Sequence, residues 1–229
     1  MYKLLPILLF AYGLAVTTDD IYDNSYALII GIDKYENVSN LDYAVKDAES
    51  VANLLKENFN FSSKNITTLL NEEATLSNIK NSLSKIASSA IENDRVLIYF
   101  AGHGVTDILP DGGEMGYLLP IDGKVDNLFA TSIPMDDIKR ISSISKSKHM
   151  LFLVDACYGG LSAVGARGLD ATTTPNYIDK ITKDKARQII TAGGRGEEVV
   201  EKSEWGHSAF TMNLIRALED GKADLNDDG

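Results

Sequence analysis

A chain of 229 residues, 44% hydrophobic and 24% charged, is long enough for one substantial core and ordinary in composition for a folded domain. Its net charge of −11 argues against nucleic acid as a partner, because phosphate binding rests on clustered Lys and Arg. The single cysteine excludes an intramolecular disulfide, and no internal repeat, heptad run or low-complexity tract is present.

Residues 1–16 differ from the rest. Lys3 precedes an apolar run over residues 4–15, with small residues at Gly13 and Ala15 and then polar Thr17, Thr18, Asp19 and Asp20. This fits a secretory signal peptide cut near Ala15, which predicts a secreted or periplasmic protein with no stable membrane span after cleavage. The alternatives are an N-terminal helix packed on the domain or an uncleaved anchor, although the run is short for a spanning helix. No cysteine follows the run, so a lipid-modified cysteine there is excluded. An unpaired thiol in an exported protein marks a reactive group.

Residues 17–229 read as one domain. The spacing of apolar residues predicts a core strand over 26–32 and a helix from Ala44, with Ala48, Val51, Ala52 and Leu55 on its inner side. A strand over 65–70 and an amphipathic helix over 74–91 follow, the latter presenting Leu76, Ile79, Leu83 and Ile86. A third strand begins at Arg95. Residues 105–114, with Pro110, Gly112 and Gly113, read as a loop, and 116–120 as a short strand. A helix is expected from about Ile133 to Ile144, with Asp136 and Asp137 in its first turn. A strand follows from His149. Residues 162–185 lack apolar periodicity and read as an exposed loop. A strand over 187–192 and a last helix opened by residues 206–208 complete the chain. Strands alternating with helices predict an α/β fold whose sheet is parallel and covered on both faces.

Two apolar strands end in chemistry. One runs from Arg95 to Ala101 and continues Gly102-His103-Gly104; the other runs from His149 to Asp155 and continues Ala156-Cys157-Tyr158-Gly159-Gly160. Open α/β sheets place their sites at the carboxyl ends of strands, and glycine there permits tight turns. A thiol and an imidazole so placed are the parts of a nucleophile and its proton-transfer partner. Taken singly, a lone cysteine is more often a buried hydrophobe and a lone histidine a turn residue. The conjunction carries the reading. A thiol near pKa 8.5 needs a neighbour to ionise it, and His103 supplies one. The backbone N–H groups of Gly104 and Cys157 are the candidate oxyanion donors. No third side chain is evident to orient the imidazole. His149 and His207 read as structural, and Trp205 either lines a cleft or packs.

The histidine block lies 54 positions before the cysteine, close to the caspase pattern in which a Q-A-C-x-G signature follows its histidine by about 50 residues. From about Tyr26 onward the chain resembles the caspase-like cysteine peptidases (peptidase C14, clan CD), and most of all the metacaspases. The resemblance implies a three-layer α-β-α sandwich with a mostly parallel central sheet, and a Cys157–His103 dyad that requires no cofactor.

Specificity turns on a departure from the caspases, which bind aspartate using a Gln two residues before the cysteine and an Arg after the first strand. Here residue 155 is Asp, and residues 31–47 contain no Arg. Metacaspases carry acids at the positions matching Asp155 and Asp47. Two carboxylates can grip a guanidinium by charge-assisted hydrogen bonds, so the expected substrates are proteins or peptides with Arg or Lys on the acyl side of the scissile bond (P1). Alternatively Asp155 is a strand-end acid bonding a turn, and Asp47 a solvated helix residue. Ala44 stands where metacaspases have a cysteine.

The acidic end, Asp224-Leu225-Asn226-Asp227-Asp228-Gly229, matches the first half of a calcium loop without its closing Glu. It reads as a chain cut short at the C-terminus or as a solvated acidic tail. Metacaspases are often calcium-dependent, so the resemblance makes Ca2+ a candidate activator, although no metal ligands can be picked out. Autocleavage is expected within residues 162–185, which offer Arg167, Lys180, Lys183 and Lys185, or at Arg187. The rival functions are a legumain- or gingipain-like peptidase with another P1 preference, and a catalytically silent scaffold that binds a partner.

Overall fold

The computed structural model describes residues 21–156, 183–193 and 201–220. The leader-like segment 1–16, Cys157, the candidate cleavage positions Arg167 and Lys180, and the acidic motif at 224–229 lie outside the described residues. Strand β1 (Ser25–Gly31) leads through helix α1 (Ala44–Asn58) to β2 (Ile66–Leu70), then through α2 (Leu76–Ser89) to β3 (Arg95–Ala101). Strands β4 (Gly104–Ile108), β5 (Glu114–Leu118) and β6 (Ile133–Pro134) precede helix α3 (Met135–Ile144) and strand β7 (His149–Asp155). Then come β8 (Ala186–Thr191), β9 (Glu201–Lys202), β10 (His207–Ser208) and α4 (Ala209–Glu219).

The central sheet has the order β2-β1-β3-β7-β8, with every pairing parallel. Its three inner strands, β1, β3 and β7, are nearly continuous apolar runs because both faces are covered, and alternate side chains feed two separate cores. Leu28, Ile30, Ile98, Phe100 and Phe152 pack against Ile79 and Leu83 of α2 and Met135 and Ile138 of α3. Ala27, Ile29, Tyr99 and Leu153 face the other way, onto Ala48, Val51 and Leu55 of α1 and Phe210 and Leu214 of α4. Three layers, α-β-α, result. By the same alternation Asp155, two residues after Leu153, belongs to the face covered by α1 and α4.

Two predicted elements and one predicted cleavage position differ in the structure. Residues 105–114 are not a loop but most of an antiparallel hairpin, β4 pairing β5 from Gly104↔Leu118 to Ile108↔Glu114. Its strands carry Thr106, Asp107 and Glu114, and at a partly exposed position they lack the apolar alternation that marks a strand. Only the turn uses the glycines: Gly112 takes a φ of +83°, and Asp111 Oδ1 accepts from the Gly113 N–H at 2.9 Å. The helix expected from Ile133 starts at Met135, because Ile133 and Pro134 pair with β5. Arg187 is not an accessible cleavage position. It lies in β8, and its guanidinium donates to the carbonyls of Ser142 in the last turn of α3 and of Ser145, Ser147 and Lys148 just beyond it. Among the candidate cleavage positions described, Lys183 and Lys185 remain exposed just before β8.

Helix α1 reaches the sheet because β1 ends in glycine. A Cβ at Gly31 would meet the Ala44 carbonyl and the Ala48 Cβ, each at 2.6 Å. Gly31→Ala should therefore push α1 outward and lower stability by ~1–3 kcal/mol, read as a lower denaturant midpoint at unchanged slope. An unchanged midpoint would show that the close approach is not required.

Candidate active site

Strands β3 and β7 are neighbours, with Ala101 registered opposite Asp155. The Gly102 N–H donates to the Asp155 carbonyl at 3.2 Å, which continues the pairing one step past the strand end. His103 follows two residues after Ala101, and Cys157 two residues after Asp155.

The loop after β1 prepares the histidine. Asp33 Oδ1 accepts from the Val45 N–H at 3.0 Å, at the start of α1, and Asn71 Oδ1 accepts from the Asp33 and Lys34 N–H groups. Pinned in this way, the loop presents two groups to His103. The buried Tyr35 hydroxyl accepts from the His103 backbone N–H at 2.8 Å, and the two rings lie 4.8 Å apart. The Ser39 carbonyl stands 2.9 Å from His103 Nε2. A carbonyl can only accept, so Nε2 carries the proton and Nδ1 of the neutral ring is the free base. The orienting group is thus a backbone atom, which no residue identity could signal. Gly102 is required here, since a Cβ would overlap the Tyr35 hydroxyl. Gly104 opens β4. The Leu119 N–H donates to the His103 carbonyl, so the Gly104–Leu118 pair is the non-hydrogen-bonded type, and the Gly104 N–H is not donated to β5.

Asp47 and Asp155 come together although they are 108 residues apart in sequence (155 − 47). Both are buried, 1% and 4% exposed, so Asp47 is not a solvated helix residue. Asp155 Oδ2 accepts from the Ser208 hydroxyl at 2.5 Å and the Thr211 hydroxyl at 2.6 Å, with the Tyr99 hydroxyl at 3.3 Å. Ser208 also caps α4, accepting from the Thr211 N–H at 2.9 Å. Asp155 Oδ1 is buried with no hydrogen-bond partner among the described residues. Asp47 Oδ2 accepts from the Ser208 N–H at 3.0 Å, and Oδ1 from His207 Nδ1 at 2.5 Å.

Burial raises both carboxyl pKa values. For Asp47 the Ser208 N–H and His207 oppose the rise; for Asp155 the Ser208 and Thr211 hydroxyls oppose it, while the Asp47 charge adds to it. The two acids line one cavity of about 170 Å3 together with His103, Ala44, Ala101 and Glu201. Among the described residues no Lys or Arg lines it.

Two partners of this cavity were not singled out by the sequence. His207, read there as merely structural, is the partner that holds Asp47. Glu201 reaches the cavity from the β9–β10 hairpin, where it pairs with Ser208 across a turn closed by Gly206 at a φ of +62°. Two-residue strands leave no periodicity to read, although the Gly206 turn was a usable signal. His149 is structural as expected, bonded to the Tyr22 hydroxyl and the Asp184 carbonyl. Trp205, half-buried in the β9–β10 turn, does not line the cavity. Among the described residues no group of three or more His, Cys, Asp or Glu is placed to hold a metal ion. No helix among them is long and apolar enough to cross a membrane.

Known proteins share this arrangement at the level of fold and family. Metacaspase-7 of Arabidopsis thaliana is 27% identical over 169 residues, covering 68% of this chain and 40% of that protein. Metacaspase-1 of Eremothecium gossypii is 24% identical over 151 residues, covering 60% of this chain and 32% of its own length. The chain thus matches well under half the length of these relatives. The crystal structure of protein GSU0716 from Geobacter sulfurreducens superposes with a TM-score of 0.63 at 18% identity, covering 86% of this chain and 83% of that one. A model of the caspase domain (peptidase C14) matches residues 24–228, and the chain belongs to that family, with metacaspases among its relatives.

Proposed function

We propose that the chain is a cysteine endopeptidase that cleaves peptide bonds after Arg or Lys through a Cys157–His103 dyad. The observation that carries this reading is the cavity that opens beside His103: among the described residues its walls hold buried carboxylates and no compensating Lys or Arg. A carboxylate buried with one oxygen unpaired is costly to the fold and becomes favourable when a cation fills the space. An acidic P1 side chain would be repelled.

In this mechanism His103 Nδ1 takes the Cys157 proton, and the thiolate attacks the scissile carbonyl carbon. The developing oxyanion is met by backbone N–H groups, those of Gly104 and Cys157 being the candidates. The imidazolium then gives its proton to the leaving amine as the C–N bond breaks, leaving a thioester. A water molecule, deprotonated by His103, hydrolyses the thioester and restores the thiol. The Ser39 carbonyl holds the ring throughout, in the role that a carboxylate plays in a triad. Exposed Lys183 and Lys185 are candidate positions for cleavage of the chain by its own kind.

Cys157→Ala should abolish hydrolysis of P1-Arg peptides, and His103→Ala should cost on the order of 10⁴-fold in kcat. Retention of more than about a tenth of the activity by Cys157→Ala would refute the nucleophile assignment. Efficient cleavage after Asp by the unmodified protein would refute the specificity.

Asp155→Asn should lower kcat/KM for P1-Arg by ~2–5 kcal/mol. The same change should leave Tm unchanged or higher. The raised pKa means that the folded state binds a proton more readily than the unfolded chain, so the ionised carboxylate costs stability as pH rises. Asparagine removes that cost. A lower Tm with intact kcat/KM would reverse the assignment.

The pH dependence follows the same shift. KM for P1-Arg should be flat above the raised Asp155 pKa and climb as pH falls through it, beginning above the ordinary Asp value of about 3.9. A KM independent of pH down to about 4 would show that Asp155 does not bind the substrate cation.

A further inference from the structure

Asp47 and Asp155 do not by themselves provide enough free acceptors for a guanidinium. Both oxygens of Asp47 already accept, one from His207 and one from the Ser208 N–H. Asp155 Oδ2 faces the Ser208, Thr211 and Tyr99 hydroxyls, so among the described residues Oδ1 is the one oxygen of the two acids left without a partner. A guanidinium carries five N–H donors spread around a plane and needs acceptors in more than one direction. Ala44 and Ala101 add apolar wall, suited to an aliphatic stem but offering no side-chain acceptor.

Glu201 supplies what is missing. It lines the same cavity from a third element, β9, held there by its pairing with Ser208, the residue that bonds both buried acids. Its hydrogen bond is a long one, Oε2 accepting from the Asp42 N–H at 3.5 Å. Among the described residues no Lys or Arg pairs with it. Burial raises its pKa, and the charges of Asp47, Asp42 and Asp33 raise it further, so an incoming cation relieves a strained charge here as well.

We infer that Glu201 is a specificity-determining residue that contacts the P1 guanidinium together with Asp155 Oδ1, and that it biases the pocket towards Arg over Lys. The inference rests on the basic-P1 reading of the cavity. The planar fork of Arg can offer separate N–H groups to Asp155 and Glu201 at once, whereas the single ammonium nitrogen of Lys is a compact point charge. Asp47 then acts through charge and through its hold on the β9–β10 hairpin.

The test compares wild type with Glu201→Gln on paired P1-Arg and P1-Lys peptides, with Cys157 alkylation by iodoacetamide as a check on the rest of the site. The expected result is a KM for P1-Arg raised about tenfold or more, the scale of one charge-assisted hydrogen bond, with a smaller rise for P1-Lys. Turnover number and alkylation rate should change less than about threefold. Glu201→Asp, which keeps the charge but shortens the reach, should also lose Arg preference, and it carries the test if the Gln variant does not fold. A KM for P1-Arg within about twofold of wild type overturns the inference, as does an equal loss on both substrates or a parallel loss of alkylation. Failure of the wild type on both substrates would instead refute the basic-P1 reading itself.

Discussion

A carboxylate at the end of β7, buried with only one of its oxygens satisfied, sets the character of this molecule. Asp155 Oδ2 faces the hydroxyls of Ser208, Thr211 and Tyr99, while Oδ1 finds no partner among the described residues. Folding does not ordinarily leave a buried acceptor unpaired, because the lost hydration is not returned. The arrangement persists because its surroundings over-determine it: Tyr99 is fixed in β3, and Ser208 and Thr211 form the first turn of α4. The same Ser208 holds Asp47 through its backbone. One residue at a helix cap thus gathers two acids from opposite parts of the chain onto one face of the sheet.

His103, the proposed base, depends on a different set of constraints that meets the first at the same strand ends. The parallel register of β3 and β7 brings Gly102 and Asp155 into contact. Gly102 must lack a side chain so that the Tyr35 hydroxyl can reach the backbone of His103, and the Ser39 carbonyl fixes the ring. Both Tyr35 and Ser39 sit on a loop whose ends are tied by Asp33 and Asn71. His103 is thus held by the loop after β1, while the two acids are held from α1, β7 and the start of α4, all at the same end of the sheet.

Much of this was legible in the sequence because the central strands are long apolar runs that end abruptly in Gly-His and Asp-Ala-Cys. Covered on both faces, they leave little doubt of a parallel sheet, and their ends mark the site. The acids at 47 and 155 were picked out by the resemblance to metacaspases, with Asp155 also marked by standing where caspases have Gln and by the absence of Arg after β1. What escaped was whatever tertiary contact alone decides. The Ser39 carbonyl is invisible in a sequence, since every residue has one. His207 and Glu201 lie in strands of two residues, too short for a period, so neither could be assigned to the pocket. The β4–β5 hairpin was hidden by polar residues on partly exposed strands.

The charge of the pocket, rather than its shape, is the central claim, and a P1 residue that changes one without the other isolates it. Citrulline has the length and planarity of arginine but no charge. The account predicts that kcat/KM for a P1-Arg peptide exceeds that of its P1-citrulline counterpart by at least about 100-fold at neutral pH, as expected for a cation lost from buried carboxylates. Equal rates on the two peptides would contradict it.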